Sequence, residues 1–120
     1  MKVAVTAQGQ DLSSIVDLRF GRAKWIIVVD TDTGESQVHD NKVNLNLAQG
    51  AGIQTGQNVA NLGVEAVITG NMGPNAFRTL AASDVRVFLA PSQPVEQVVA
   101  AFKQGELHEL QQANVEGHWV

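Results

Sequence analysis

The apolar positions of this chain come in two rhythms. KVAVT, residues 2–6, alternates apolar and polar side chains with β-branched content, and WIIVVD, residues 25–30, is a nearly continuous apolar run of strand length; both predict strands. DTDTGE, residues 30–35, is rich in turn formers and offers Gly34 for a positive φ, so it predicts a link to a third, more polar edge strand over 36–43. IQTGQNVANLG then switches to helical spacing, with Ile53, Gly56, Val59, Ala60 and Leu62 on one face and Gly63 as a C-terminal stop. EAVIT predicts a buried strand, residues 74–82 a helix with Pro74 in its first turn and Phe77, Leu80 and Ala81 facing inward, and VRVFLA a last strand. A third helix, capped by Ser92, follows from Val95, Val98, Val99 and Phe102 and ends at Gly105.

The resulting order, β-β-β-α-β-α-β-α, predicts an α/β layer fold with a mixed five-stranded sheet, an opening hairpin and right-handed crossovers afterwards. With the second strand running against the other four, the loops at 7–24, 44–52, 70–74 and 90–94 all open at one edge. Ligands of open α/β sheets bind beyond the carboxyl ends of the strands, so this edge is the expected site. A single domain over residues 1–107 is expected, followed by a polar tail at 108–120.

Composition narrows the class. The chain has 120 residues, 44% of them hydrophobic and 17% charged, as expected for one ordinary soluble domain. KVAVT is too short and too soon polar for a secretory signal, and no apolar run could span a bilayer, so a cytoplasmic location without membrane association is expected. The absence of cysteine removes disulfides, thiolate ligation and thiol catalysis. Net charge is −4, and the cations are scattered except at Arg19, Arg22 and Lys24, which argues against nucleic acid as a partner.

That local patch, within DLRFGRAKW, is the first candidate site. Arg19 and Arg22 present planar donor forks suited to an oxyanion, and Gly21 allows close backbone approach. Alternatively Phe20 plugs the core while the arginines pair with Asp17, Asp11 or Asp30. QGAGIQTG, residues 49–56, and GNMGPNA, residues 70–76, are glycine-rich segments entering helices, where exposed amides favour an anion or simply serve turn geometry. Neither is a Walker motif, which leaves a phosphate- or nucleotide-binding enzyme as a minor reading. Met72 is a soft contact or a core filler. His39, His108 and His118 lack metal-ligand spacing, no GxSxG elbow is present, and the first strand lacks the carboxylates a two-metal nuclease of the ribonuclease H type needs. The chain reads as a binder, not an enzyme.

Taken together, KVAV, DLRFGRAKWIIVVD, GAGIQTGQNVANLGVEAVITGNMGPNA and VEQVVAAFKQGEL resemble the nitrogenase iron-molybdenum cofactor biosynthesis and accessory-protein family over residues 2–107. The resemblance implies a ribonuclease H-like fold without nuclease chemistry and a role in carrying, storing or assembling a molybdenum-containing metal-sulfur cluster. The lack of cysteine turns it toward the orange proteins of sulfate-reducing bacteria, which hold a molybdenum-copper sulfide cluster noncovalently. Arg19, Phe20, Gly21 and Arg22 match the family's FGR segment, and Gly50, Gly52, Gly73, Pro74 and Asn75 its glycine-rich loops; Ile53 and Met72 lie beside them. An anionic cluster that brings its own sulfides suits guanidinium forks and backbone amides. The alternative is a cluster-free interaction module working with ATPases or cell-division-related partners, for which HWV at 118–120 is a small sign.

Overall fold

The computed structural model describes residues 1–41 and 51–115. Its strands are β1 (Lys2–Ala7), β2 (Trp25–Asp30), β3 (Ser36–Asp40), β4 (Ala66–Thr69), β5 (Arg86–Leu89) and β6 (His108–Glu109), and its helices α1 (Ala51–Ala60), α2 (Pro74–Ala82) and α3 (Val95–Lys103). They form one sheet in the order β3-β2-β1-β4-β5-β6. β2 runs antiparallel to both β1 and β3, while β4 and β5 lie parallel to β1. The expected strand directions therefore hold among the described residues.

The inner strands β1, β2 and β4 are buried on both faces, which explains why WIIVV reads as a continuous apolar run, while the edge strand β3 is mostly exposed. Val3, Val5, Ala7, Ile27, Val29 and Ile68 face α3, packing with Val95, Val98 and Val99. Ala4, Ile26, Val28, Val67 and Val87 face the opposite way, with Val59 of α1 and Ala76 and Leu80 of α2. Phe88 meets Phe102 edge-on at 4.9 Å between ring centroids, in the range where aromatic pairs gain beyond their buried area. Gly34 and Gly63 adopt φ of 80° and 73°, supplying the left-handed residues that the hairpin and the end of α1 require.

Three expectations change. The sheet has six strands rather than five, because His108–Glu109 pairs antiparallel with Phe88–Leu89 and Leu110 enters the core behind it. Ser92 does not cap α3. Pro94 stands at that position, and the Val95 and Glu96 amides donate instead to the Ser14 and Leu12 carbonyls, so the long first loop satisfies the helix start. In α2 Leu80 is buried and Phe77 half-buried against the same core, as expected, but Ala76 takes the inward place expected of Ala81, which is exposed. Residues 42–43 of the expected third strand and most of the 44–52 loop fall outside the described residues.

Candidate functional site

The ends of β1, β4 and β5 bring the segments after them to one edge of the sheet, and the first segment is tied down there by a short polar chain. The Thr6 hydroxyl, inside the core, lies 2.7 Å from both the Thr69 hydroxyl and the Asp17 carbonyl, so Thr69 donates to Thr6 and Thr6 donates to Asp17. The Asp17 amide returns a bond to the Thr6 carbonyl at 2.8 Å. No buried side-chain polar atom among the described residues lacks a partner. The loop is thus fixed to the strand ends at Asp17.

From Asp17 the chain runs across the end of β4. Leu18 packs over Gly70, Arg19 is extended and bridges in parallel to Asn71, and the Phe20 amide donates to the Asn71 carbonyl at 3.2 Å. Phe20–Arg22 then forms one 3-10 turn against α1. Phe20 is fully buried in the same cluster as Met72, Ala76 and Leu80, which makes it the plug that seats the turn. Burying a phenyl ring of this kind contributes several kcal/mol, about 3–5 by the usual cost of Phe→Ala in a core.

The exit of the turn is pinned by a second buried pair. The Asn41 side-chain amide donates to the Ala23 carbonyl at 2.8 Å and to the Thr55 hydroxyl at 3.1 Å, and the Thr55 hydroxyl lies 3.3 Å from Asn41 Oδ1. The Asn41 backbone amide reaches the Lys24 carbonyl at 2.9 Å. One residue therefore joins the end of β3, the exit of the turn and helix α1. Neither Asn41 nor Thr55 was singled out by sequence; both look like ordinary polar positions until the fold brings them together.

Beside the turn a cleft of about 490 Å³ is lined by Gln8, Asp17, Leu18, Arg19 and Lys24. Arg19 and Lys24 are exposed there and form no ion pair among the described residues. Among the described residues no carboxylate forms an ion pair with the Arg19 guanidinium; the nearby acids accept hydrogen bonds from other groups. Asp17 Oδ1 accepts from the backbone amide of Arg19 itself at 3.0 Å, and Asp30 accepts from the Asp32 and Thr33 amides. The Ser13 and Ser14 hydroxyls bond Asp11 and hold its carboxyl below the usual carboxylate range. With Asp17 counted, the lining carries two cations and one anion, a net positive cleft in an acidic chain. Such a cleft concentrates anions.

The other sequence candidates are distributed around this point. Arg22 is half-buried at the end of the turn and is not one of the residues lining the cleft. Gly21 is buried within the turn. Met72 is wholly buried in the core. Gly73 is the N-cap of α2 without a side-chain bond, and Pro74 and Asn75 are exposed in its first turn. Gly52 is buried and Ile53 half-buried in α1, the helix packed on the FGR turn. Gly50, His118 and the 118–120 segment lie outside the described residues. His39 lines a different recess, with Asp40, Asn41, Asn58 and Asn61, and no cluster of metal-ligating side chains occurs among the described residues. No helix among them is long and apolar enough to cross a membrane.

The model of the dinitrogenase iron-molybdenum cofactor family matches residues 1–105. The apo form of the orange protein from Desulfovibrio gigas superposes with a TM-score of 0.92 at 36% identity, over 95% of this chain and 96% of that one. A NifB-like protein of the DUF35 family from Thermotoga superposes with a TM-score of 0.83 at 39% identity, over 97% and 98% of the two chains. An uncharacterized protein from Methanocaldococcus jannaschii is 26% identical over 114 residues, 92% of each chain.

Proposed function

Because this chain belongs to the dinitrogenase iron-molybdenum cofactor family, we propose that it is a noncovalent carrier or scaffold for an anionic molybdenum-containing metal-sulfide cluster, of the molybdenum-copper-sulfide or iron-molybdenum-cofactor type. The supporting observation is the pair Arg19 and Lys24, left without ion-pair partners among the described residues on a cleft whose walls are locked to the sheet. The fit is electrostatic. The chain has no cysteine to ligate a metal, and a thiometallate supplies its own sulfides, so what it requires from the protein is positive charge, hydrogen-bond donors and a fixed shape.

In this reading Arg19 directs its guanidinium fork at the cluster's outer sulfides, Lys24 adds a point charge across the cleft, and Gln8 offers an amide donor at the rim. Arg22 and the amides at the start of α2 contribute to the surrounding positive potential. The protein acts as a non-enzymatic cytoplasmic accessory factor, and the ribonuclease H-like assignment rests on the strand order β3-β2-β1-β4-β5. The direct test is an anaerobic titration of apo-protein with tetrathiomolybdate and a copper salt, followed by desalting and a visible spectrum. A charge-transfer spectrum that differs from the reagents and travels with the protein supports the carrier reading. A protein fraction free of molybdenum refutes it.

A further inference from the structure

The segment after β6 does more than close the sheet. From Leu110, buried under the α1 and α2 face, the chain returns to the β4–α2 loop, where Asn114 makes the hydrogen bonds to it among the described residues. Asn114 Oδ1 accepts from the Met72 amide at 2.8 Å, and its Nδ2 lies 3.2 Å from the Gly70 carbonyl and 3.3 Å from Asn71 Oδ1. Its backbone amide donates to the Met72 carbonyl at 3.2 Å. Both polar backbone groups of Met72 are therefore matched by Asn114, as a neighbouring strand would match them.

The opposite side of the same loop is the one that receives Arg19 and Phe20. Asn71 carries the parallel bridge to Arg19 and accepts from the Phe20 amide. Residues 70–72 are thus held between two segments distant in sequence: the FGR turn on one side and the Asn114 side chain on the other. Beside the packing of Met72 in the core, hydrogen bonds hold this loop in position, and three side-chain bonds come from one exposed amide. Asn114 also lies beyond residue 105, where the family match ends, so this grip is a feature of the chain outside the matched segment.

We infer that Asn114 is a positioning residue for the cleft: by clasping Gly70, Asn71 and Met72 it sets the backbone against which Arg19 and Phe20 are registered. It need not touch a ligand. The inference rests on the proposed anion-binding reading for its functional consequence, while its structural part concerns the apo-protein alone. Removing the side chain withdraws the acceptor from the Met72 amide and the donor from the Gly70 carbonyl, and the loosened loop passes that freedom to the Asn71 carbonyl that holds Phe20.

The test compares wild type, N114A and N114D by amide hydrogen exchange of the apo-protein and by retention of tetrathiomolybdate with copper after desalting, at a temperature where all three are folded. N114A is expected to speed exchange of the Met72 and Phe20 amides at least tenfold, to leave Val5 in the β1–β2 ladder unchanged, and to lower retention several-fold. N114D keeps the acceptor for the Met72 amide but loses both donors, so it should protect Met72 better than N114A does. Unchanged exchange at Phe20 in N114A overturns the positioning role, as does unchanged retention in a variant whose wild type retains the cluster. If the wild type itself retains nothing, the carrier reading fails, and Phe20 exchange alone decides the role of Asn114.

Discussion

Leu18 crosses Gly70 so closely that a β-carbon on Gly70 would stand 2.7 Å from the Leu18 Cα. Such a contact is with backbone rather than with the end of a flexible side chain, so one of the two segments would have to move. Gly70→Ala is therefore expected to destabilise the fold by about 1–3 kcal/mol, the usual range for overpacking, and to shift the Arg19 segment with it. Urea unfolding measures the first effect and backbone chemical shifts at residues 17–20 the second. A variant as stable as wild type with unmoved shifts would mean that the close approach does not set the site.

Asn41 and Thr55 form the buried polar link beneath the exit of the FGR turn. Asn41→Ala leaves the Thr55 hydroxyl and the Ala23 carbonyl without that partner inside the protein. The expected loss is about 1–3 kcal/mol, the cost of orphaning buried polar groups. Thermal or urea denaturation reads it directly; a change below a few tenths of a kcal/mol contradicts the assigned role.

Asp17 lines the cleft as its one carboxylate among the described residues, opposing Arg19 and Lys24 in any anion site. Asp17→Asn keeps the side-chain oxygen that accepts from the Arg19 amide while removing the charge. Anion retention should rise by a few-fold, corresponding to roughly 1 kcal/mol between nearby charges at a hydrated site, and the gain should shrink as salt is added. Equilibrium binding of tetrathiomolybdate at low and high ionic strength checks both parts.

Arg86 joins β5 to β6 through Glu109, with Nε 3.1 Å from one carboxylate oxygen and Nη2 2.5 Å from the other. This pairing holds the Glu109 carboxyl below its ordinary value near 4.5. A carboxylate depressed in the fold adds stability that is present above its unfolded value and fades as pH falls through the folded one. Glu109→Gln should therefore narrow its stability difference from wild type between neutral pH and strongly acidic pH. The pair is solvent-exposed, so the difference should be small and salt-sensitive. Denaturation midpoints taken across that pH range test the sign.

Much of this was legible because the signals were local. WIIVVD, EAVIT and VRVFLA mark strands by continuous apolar content, Pro74 marks the first turn of α2, and Gly63 marks the end of α1. The edge at which Arg19 and Gly73 gather followed from strand direction alone. The sixth strand was not legible, because two polar residues, His108 and Glu109, are recruited by the free edge of β5 and not by any pattern of their own. Leu107 and Leu110, the apolar positions flanking that pair, were the available sign. Asn114 and the Asn41–Thr55 pair were hidden for a related reason: each acts through partners far away in sequence. The fate of Met72 turned on packing, since a thioether in a loop reads the same whether it faces solvent or, as here, the core.

On the proposed reading, the charge of Arg19 and Lys24, unpaired among the described residues, holds an anionic metal-sulfide cluster. The most direct measurement is the molybdenum-to-protein ratio after anaerobic loading with tetrathiomolybdate and copper and a desalting step, for wild type and for the R19Q/K24Q double variant, with circular dichroism confirming that both are folded. A stoichiometric ratio is expected in the wild type, with most of the molybdenum lost in the double variant. Equal ratios in the two proteins would contradict that reading.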